Sequence, residues 1–149
     1  TEASENVWGS ALPYLVPVDS STDLAADNYA YTVQFTAAQM QPLLAALGLA
    51  PDRSAAGQWF GEPTLTPSGY VASIPVCGQR ISGPALRKAL GLRSACFTIR
   101  YEAGSFSITT QGYGHGVGLS QWGAKALAEQ GLTAQAILAH YFPGTELRQ

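Results

Sequence analysis

Apolar and polar positions alternate over Tyr31-Thr32-Val33-Gln34-Phe35, a β-prone pattern that predicts a strand. Thr36 then suits an N-cap, and the apolar-rich run from Ala37 to Leu47, stopping at Gly48, predicts a helix. Residues 51–61, which include Trp59 and Phe60, read as a loop. Beyond it, 63–66 with 70–76 and 70–76 with 79–82 predict two hairpins, punctuated by Pro67-Ser68-Gly69 and Cys77-Gly78. Ser82 caps a short predicted helix with Pro84 in its first turn, Leu86 and Leu90 on one face, and Gly91 at its end. Strands follow at 95–101 and 105–110, joined by a turn that ends on Gly104. Ser120 caps a helix over 121–130 that stops at Gly131, and Thr133 caps another over 134–141 before Pro143-Gly144. Residues 1–30, with Pro13, Pro17 and the turn-forming Asp19-Ser20-Ser21-Thr22-Asp23, read as irregular. The expected class is α+β: antiparallel β hairpins with short helices inserted and two helices at the C-terminus.

Composition narrows the function classes. A chain of 149 residues with 46% hydrophobic and 12% charged residues buries a core and is not a disordered polar segment. The net charge is −2 and the basic residues are scattered, so no basic stripe exists for nucleic acid. No repeat or low-complexity linker divides the sequence, so 1–149 reads as a single domain. The longest apolar stretch, Leu43 to Ala50, is too short to span a bilayer. Without an initiator methionine or a signal-like start, Thr1 is expected to be a processing or ordering boundary of a longer natural chain. Cys77 and Cys96 fit no metal motif; they are either an inter-strand disulfide or two small buried thiols.

The densest signal lies in Gln111-Gly112-Tyr113-Gly114-His115-Gly116-Val117-Gly118-Leu119-Ser120-Gln121-Trp122-Gly123. Gly112, Gly114, Gly116 and Gly118 occupy alternate positions, a pattern for a backbone that takes left-handed dihedrals or is closely approached. Such a loop presents Tyr113 and His115 with little side-chain cover. His115 can act as acid or base, donate or accept a ligand hydrogen bond, or orient another group. His140, the only other histidine, is expected to pack with Tyr141 and Phe142, so no metal site is predicted. Ser120 and Gln121 open the next helix, where capping accounts for Ser120 and free amides attract anions or carbonyls. A Ser–His nucleophile pair lacks both the Gly-x-Ser-x-Gly elbow and an identifiable aspartate. Trp8, Trp59, Tyr113 and Trp122 are candidate platforms for sugar rings, although core packing is the default for each. Lys125 and Glu129 form a solvated helical pair, and no two carboxylates stand out as a glycosidase pair.

The run from Gly112 to Ala124, followed by Ile137-Leu138-Ala139-His140-Tyr141-Phe142-Pro143-Gly144-Thr145-Glu146-Leu147, resembles the C-terminal signature of the SpoIID/LytB family of sporulation proteins and amidase enhancers. Leu90-Gly91-Leu92-Arg93-Ser94 and Glu5-Asn6-Val7-Trp8-Gly9, with Pro13-Tyr14-Leu15 after it, match further family blocks in the same order. The resemblance covers nearly the whole chain.

It implies peptidoglycan as the partner and lytic transglycosylation of the MurNAc–GlcNAc glycan to 1,6-anhydro ends. One carboxyl group suffices for that reaction. It protonates the leaving oxygen and then accepts the proton of the C6 hydroxyl that attacks internally. In the family the catalytic glutamate belongs to a block with Ala-Arg-Thr-Tyr on the N-terminal side of the Trp8 block, and that block is absent here. The resemblance therefore implies a C-terminal portion whose acid lies upstream of Thr1, and the role passes to neither Glu2 nor Glu5. It places Tyr113, His115, Ser120 and Gln121 against substrate, with His115 as an auxiliary to the acid and the four glycines shaping the floor. Trp122 stands where tyrosine also occurs, and Arg93 is a helix-end structural residue or a contact to peptide carboxylates. No cofactor is implied. The location would be extracytoplasmic, with glycan strands, the missing N-terminal half or another cell-wall hydrolase as partners. A non-catalytic cell-wall binding or amidase-enhancing module is the alternative.

Overall fold

The computed structural model describes residues 1–148, which fall into two compact units. One is the continuous stretch Ala30–Gly112; the other joins Thr1–Tyr29 to the segment that begins at Tyr113. The fold is α+β.

The continuous unit contains two antiparallel sheets of three strands each. In the first, β1 (Ala30–Thr36) and β5 (Phe97–Glu102) flank β6 (Ser105–Gln111), with Phe35 opposite Phe106 and Ile99 opposite Ile108. Along β6 the inward positions Phe106, Ile108 and Thr110 are buried, and the alternate positions are half-buried or exposed. The second sheet sets β3 (Val71–Val76) between β2 (Thr64–Leu65) and β4 (Gln79–Ser82). The turn between β3 and β4 holds both Cys77 (φ 48°) and Gly78 (φ 80°) in the left-handed region, the two-residue geometry that suits a hairpin.

Two helices cover this unit's core. Thr36 and Gln39 form a reciprocal capping box at the start of α2 (Ala37–Ala45): the Gln39 amide donates to Thr36 Oγ1 at 3.3 Å, and the Thr36 amide to Gln39 Oε1 at 2.9 Å. Its end comes earlier than the expected Leu47, because Leu47 and Gly48 close tighter i→i+3 bonds to Leu44 and Ala45. Ser82 caps α3 (Gly83–Leu90), which buries Leu86 and Leu90. Met40, Leu44, Trp59, Leu86, Phe106 and Ile108 belong to one core cluster. The 51–61 segment is more ordered than a loop. Residues Arg53–Gln58 form a 3-10 turn that Asp52 caps through Ser54, and Trp59 donates its indole N–H to the Asp52 carbonyl at 2.7 Å while stacking on Phe106.

In the other unit, residues expected to be irregular form α1 (Ser4–Trp8) and a 3-10 turn at Ser21–Ala25. The helix has only five residues and no side-chain cap, so no periodic signal could reveal it. It is pinned by Ser4, fully buried, whose hydroxyl accepts the Leu12 amide at 2.9 Å. Ser120 and Thr133 cap α4 (Gln121–Glu129) and α5 (Ala134–Tyr141), each through the amide three residues on. In the continuous unit Ala30–Gly112, Cys77 and Cys96 are half-buried free thiols, and burial pushes the Cys77 thiol up from its ordinary range. Among the described residues no helix is long and apolar enough to cross a membrane.

Candidate functional site

The glycine loop takes the backbone its sequence demands. Gly112, Gly114, Gly116 and Gly118 have φ of 69°, 97°, 81° and 77°, each in the region L side chains rarely enter. Alternation of such residues turns the chain back and forth, leaving Tyr113 84% exposed and His115 exposed. Val117, between the last two glycines, is buried and carries the loop's attachment: it pairs with Glu2 in an isolated parallel bridge, where the Glu2 amide donates to the Gly116 carbonyl at 2.8 Å.

His115 is oriented from two sides. Its Nδ1 accepts the Val117 amide at 3.0 Å, so the neutral ring carries its proton on Nε2. Trp8, the last residue of α1 and 53% exposed, lies over it with ring centroids 5.3 Å apart at a tilt of 55°. The pair offers an apolar indole face beside an imidazole N–H donor. Such a surface can cover the C–H face of a sugar ring and donate to one of its oxygens.

Ser120 and Gln121 sit at the start of α4. The Ser120 hydroxyl is engaged twice, accepting from the Gly123 amide at 3.1 Å and donating to Asp23 Oδ1 at 2.8 Å. The Asp23 carboxylate therefore occupies the electropositive helix start itself. Gln121 is exposed there, and Trp122, 50% exposed, lies beneath the Lys125 ammonium at 5.1 Å. Lys125 and Glu129 are the surface pair expected, at 3.7 Å. Gly123 is packed so closely that a Cβ would strike the Tyr141 hydroxyl and approach Asp23 Oδ1 to 2.9 Å. Tyr141 is 1% exposed; burial first, then Asp23 and Asp19, push its hydroxyl up, and the Ser20 hydroxyl opposes them.

The other candidates are engaged in contacts of their own. His140 bonds through Nε2 to the Asp19 carbonyl at 2.8 Å and packs edge-on against Tyr141, a structural role. Trp59 is core in the other unit, and Arg93 there holds its guanidinium 3.6 Å above the Tyr31 ring. Of the two early glutamates, Glu5 is exposed on α1, whereas Glu2 is 1% exposed, its Oε1 accepting the Ala3 amide at 2.7 Å and the Asn6 side-chain amide at 2.8 Å. Sequence reasoning singled out Trp8 by its aromatic type but not its pairing with His115. It did not find Asp23 or Glu2, because Asp23 meets Ser120 across 97 positions and Glu2 meets the loop across more than a hundred.

Comparison with known proteins found no matching family model. Over its whole length the chain is 39% identical to stage II sporulation protein D of Bacillus subtilis (strain 168) and 38% identical to that of Bacillus amyloliquefaciens, spanning 42% of each. It is also 43% identical to the amidase enhancer of Bacillus subtilis (strain 168), covering 28% of that protein. The chain thus spans less than half the length of these relatives.

Proposed function

We propose, for a chain that belongs to the SpoIID/LytB family, a role at the bacterial cell wall: it supplies the glycan-binding surface of a peptidoglycan lytic transglycosylase. The observation that carries this reading is the exposed Trp8–His115 pair, with the exposed Tyr113 two residues earlier on a backbone cleared by glycines. Stacking faces with a single oriented N–H donor suit a polysaccharide better than a nucleic acid or a membrane, and the scattered charge agrees. In this scheme Tyr113 and Trp8 hold sugar rings, His115 donates to a glycan oxygen, and Gln121 reads a hydroxyl. Ser120 keeps α4 and Asp23 in register behind them.

The acid is assigned to residues outside these 149. It protonates the glycosidic oxygen, the C6 hydroxyl closes on C1, and its proton returns to the carboxylate. The role is not given to Glu2, which is 1% exposed and whose Oε1 accepts two N–H groups. The working location is extracytoplasmic, where glycan strands are found.

Mass spectrometry of glycan strands incubated with this chain, and separately with the full gene product, tests the proposal. Binding without anhydro ends from the chain, and anhydro ends from the full product, are expected. Anhydro ends from the 149 residues alone would refute the assignment of the acid, and no binding by either protein would refute the reading as a whole. The 43% identity to an amidase enhancer favours one other reading, a non-catalytic module that stimulates a separate amidase. Amidase stimulation by a full product that forms no anhydro ends would select it.

A further inference from the structure

We infer that Glu2 is the positioning residue of the His115 loop, acting through α1 and through Trp8. A carboxyl group this deeply buried is costly unless its oxygens are satisfied. Here Oε1 takes the Ala3 amide at 2.7 Å and the Asn6 side-chain amide at 2.8 Å, and so ties the entry and the middle of α1 to one atom. The same residue's backbone amide donates to the Gly116 carbonyl at 2.8 Å and forms the parallel bridge with Val117. One residue thus connects two parts that are far apart in sequence and meet again at the aromatic pair. From α1 comes Trp8, from the loop comes His115, and their centroids lie 5.3 Å apart.

Neither part is stiff by itself. The helix has five residues without a side-chain cap, and the loop has a glycine at every second position. A five-residue helix does not persist by its own hydrogen bonds, and such a loop has no intrinsic reason to choose one conformation. The geometry that offers an indole face and an oriented imidazole together must be imposed, and Glu2 is where both parts are held. The distances discriminate among substitutions. Glutamine keeps an oxygen at the same reach, aspartate withdraws it by one methylene, and alanine removes it.

The assignment stands on contacts alone, while its importance for glycan recognition rests on the function proposed above. The test therefore reads structure first. In isotopically labelled protein of all 149 residues, nuclear Overhauser contacts between the Trp8 and His115 rings and hydrogen exchange at the Val117 amide are followed in four variants. Glu2→Gln should keep both. Glu2→Asp and Glu2→Ala should lose the ring contacts and exchange the Val117 amide about tenfold faster, the effect of one hydrogen bond, with protection in α4 and α5 unchanged. Asn6→Ala, at an exposed position, should weaken the ring contacts without unfolding the chain. If Glu2→Ala fails to fold, Glu2→Asp and Asn6→Ala decide. Intact ring contacts and Val117 protection in those two variants, or uniform loss across α4 and α5, would overturn the assignment. Failure of the wild-type chain to bind glycan would count against the proposed function and leave this result standing.

Discussion

Replacing Gly123 with alanine should destabilise the protein even though it puts a better helix former inside α4. Gly123 is the third residue of the helix, so alanine gains at most ~1 kcal/mol of backbone preference. Against that, the new methyl would collide with the hydroxyl of Tyr141, 1% exposed, and come within 2.9 Å of Asp23 Oδ1, which is held by Ser120. Neither neighbour yields easily. Overpacking of this kind costs ~1–3 kcal/mol, and two unyielding neighbours put it in the upper half of that range, so a net loss of ~1–2 kcal/mol is expected. That corresponds to a fall of ~2–8 °C in melting temperature for a chain of this size. Tyr141→Phe removes the atom that is struck, and the Tyr141 hydroxyl has no partner of good hydrogen-bond geometry among the described residues. The phenylalanine variant should therefore be near wild type, and Gly123→Ala in its background should cost less than in the wild type, the Asp23 contact remaining. Urea unfolding of all four proteins gives the coupling energy directly, with ~0.5–1 kcal/mol expected. A neutral Gly123→Ala, or the same penalty in both backgrounds, would refute the packing argument for the corner that sets Ser120 and Gln121.

His115→Ala should lower the melting temperature by only ~2–4 °C, since it removes one exposed ring contact and one backbone hydrogen bond worth together ~1 kcal/mol. Glycan affinity should fall about tenfold, because a positioned donor is lost; a fall beyond ~10 °C in a thermal scan would instead mark a core histidine. Asp52 is held below its ordinary value of 3.8 by the Ser54 amide first and the Ser54 hydroxyl second. The unfolded chain therefore binds more protons between the two values, so this contribution is present above the ordinary value and lost as pH falls through the folded one. Ser54→Ala should move the Asp52 titration, followed by carboxyl chemical shift, part of the way back up; an unmoved titration would contradict the assigned cause.

Most of the fold was legible because its elements carry local signals. Thr36, Ser82, Ser120 and Thr133 each cap the helix they announce, and β1 and β6 alternate as a half-buried sheet requires. The exceptions are elements made by tertiary contact. Helix α1 exists because Ser4 and Glu2 are buried and bonded, and the 3-10 turn at Arg53–Gln58 because Asp52 and Trp59 close around it. One of the two compact units is built from both ends of the chain, and no composition shift marks the point after Gly112 where the other ends. At the site, residue types pointed to Tyr113, His115 and the aromatic candidates. The Trp8–His115 pairing, the Asp23–Ser120 bond and the Glu2 anchor join distant positions and leave no pattern in either segment alone.

The central claim is that glycan binds at the glycine loop and Trp8. The most direct test is a nuclear magnetic resonance titration of the labelled chain with short glycan strands stripped of peptide, following every backbone amide and the tryptophan indole N–H groups. Saturable shifts centred on Trp8, Tyr113, His115 and Gln121, with resonances of residues 30–110 largely unmoved, are the expected result. No saturable shift, or shifts confined to residues 30–110, would contradict it.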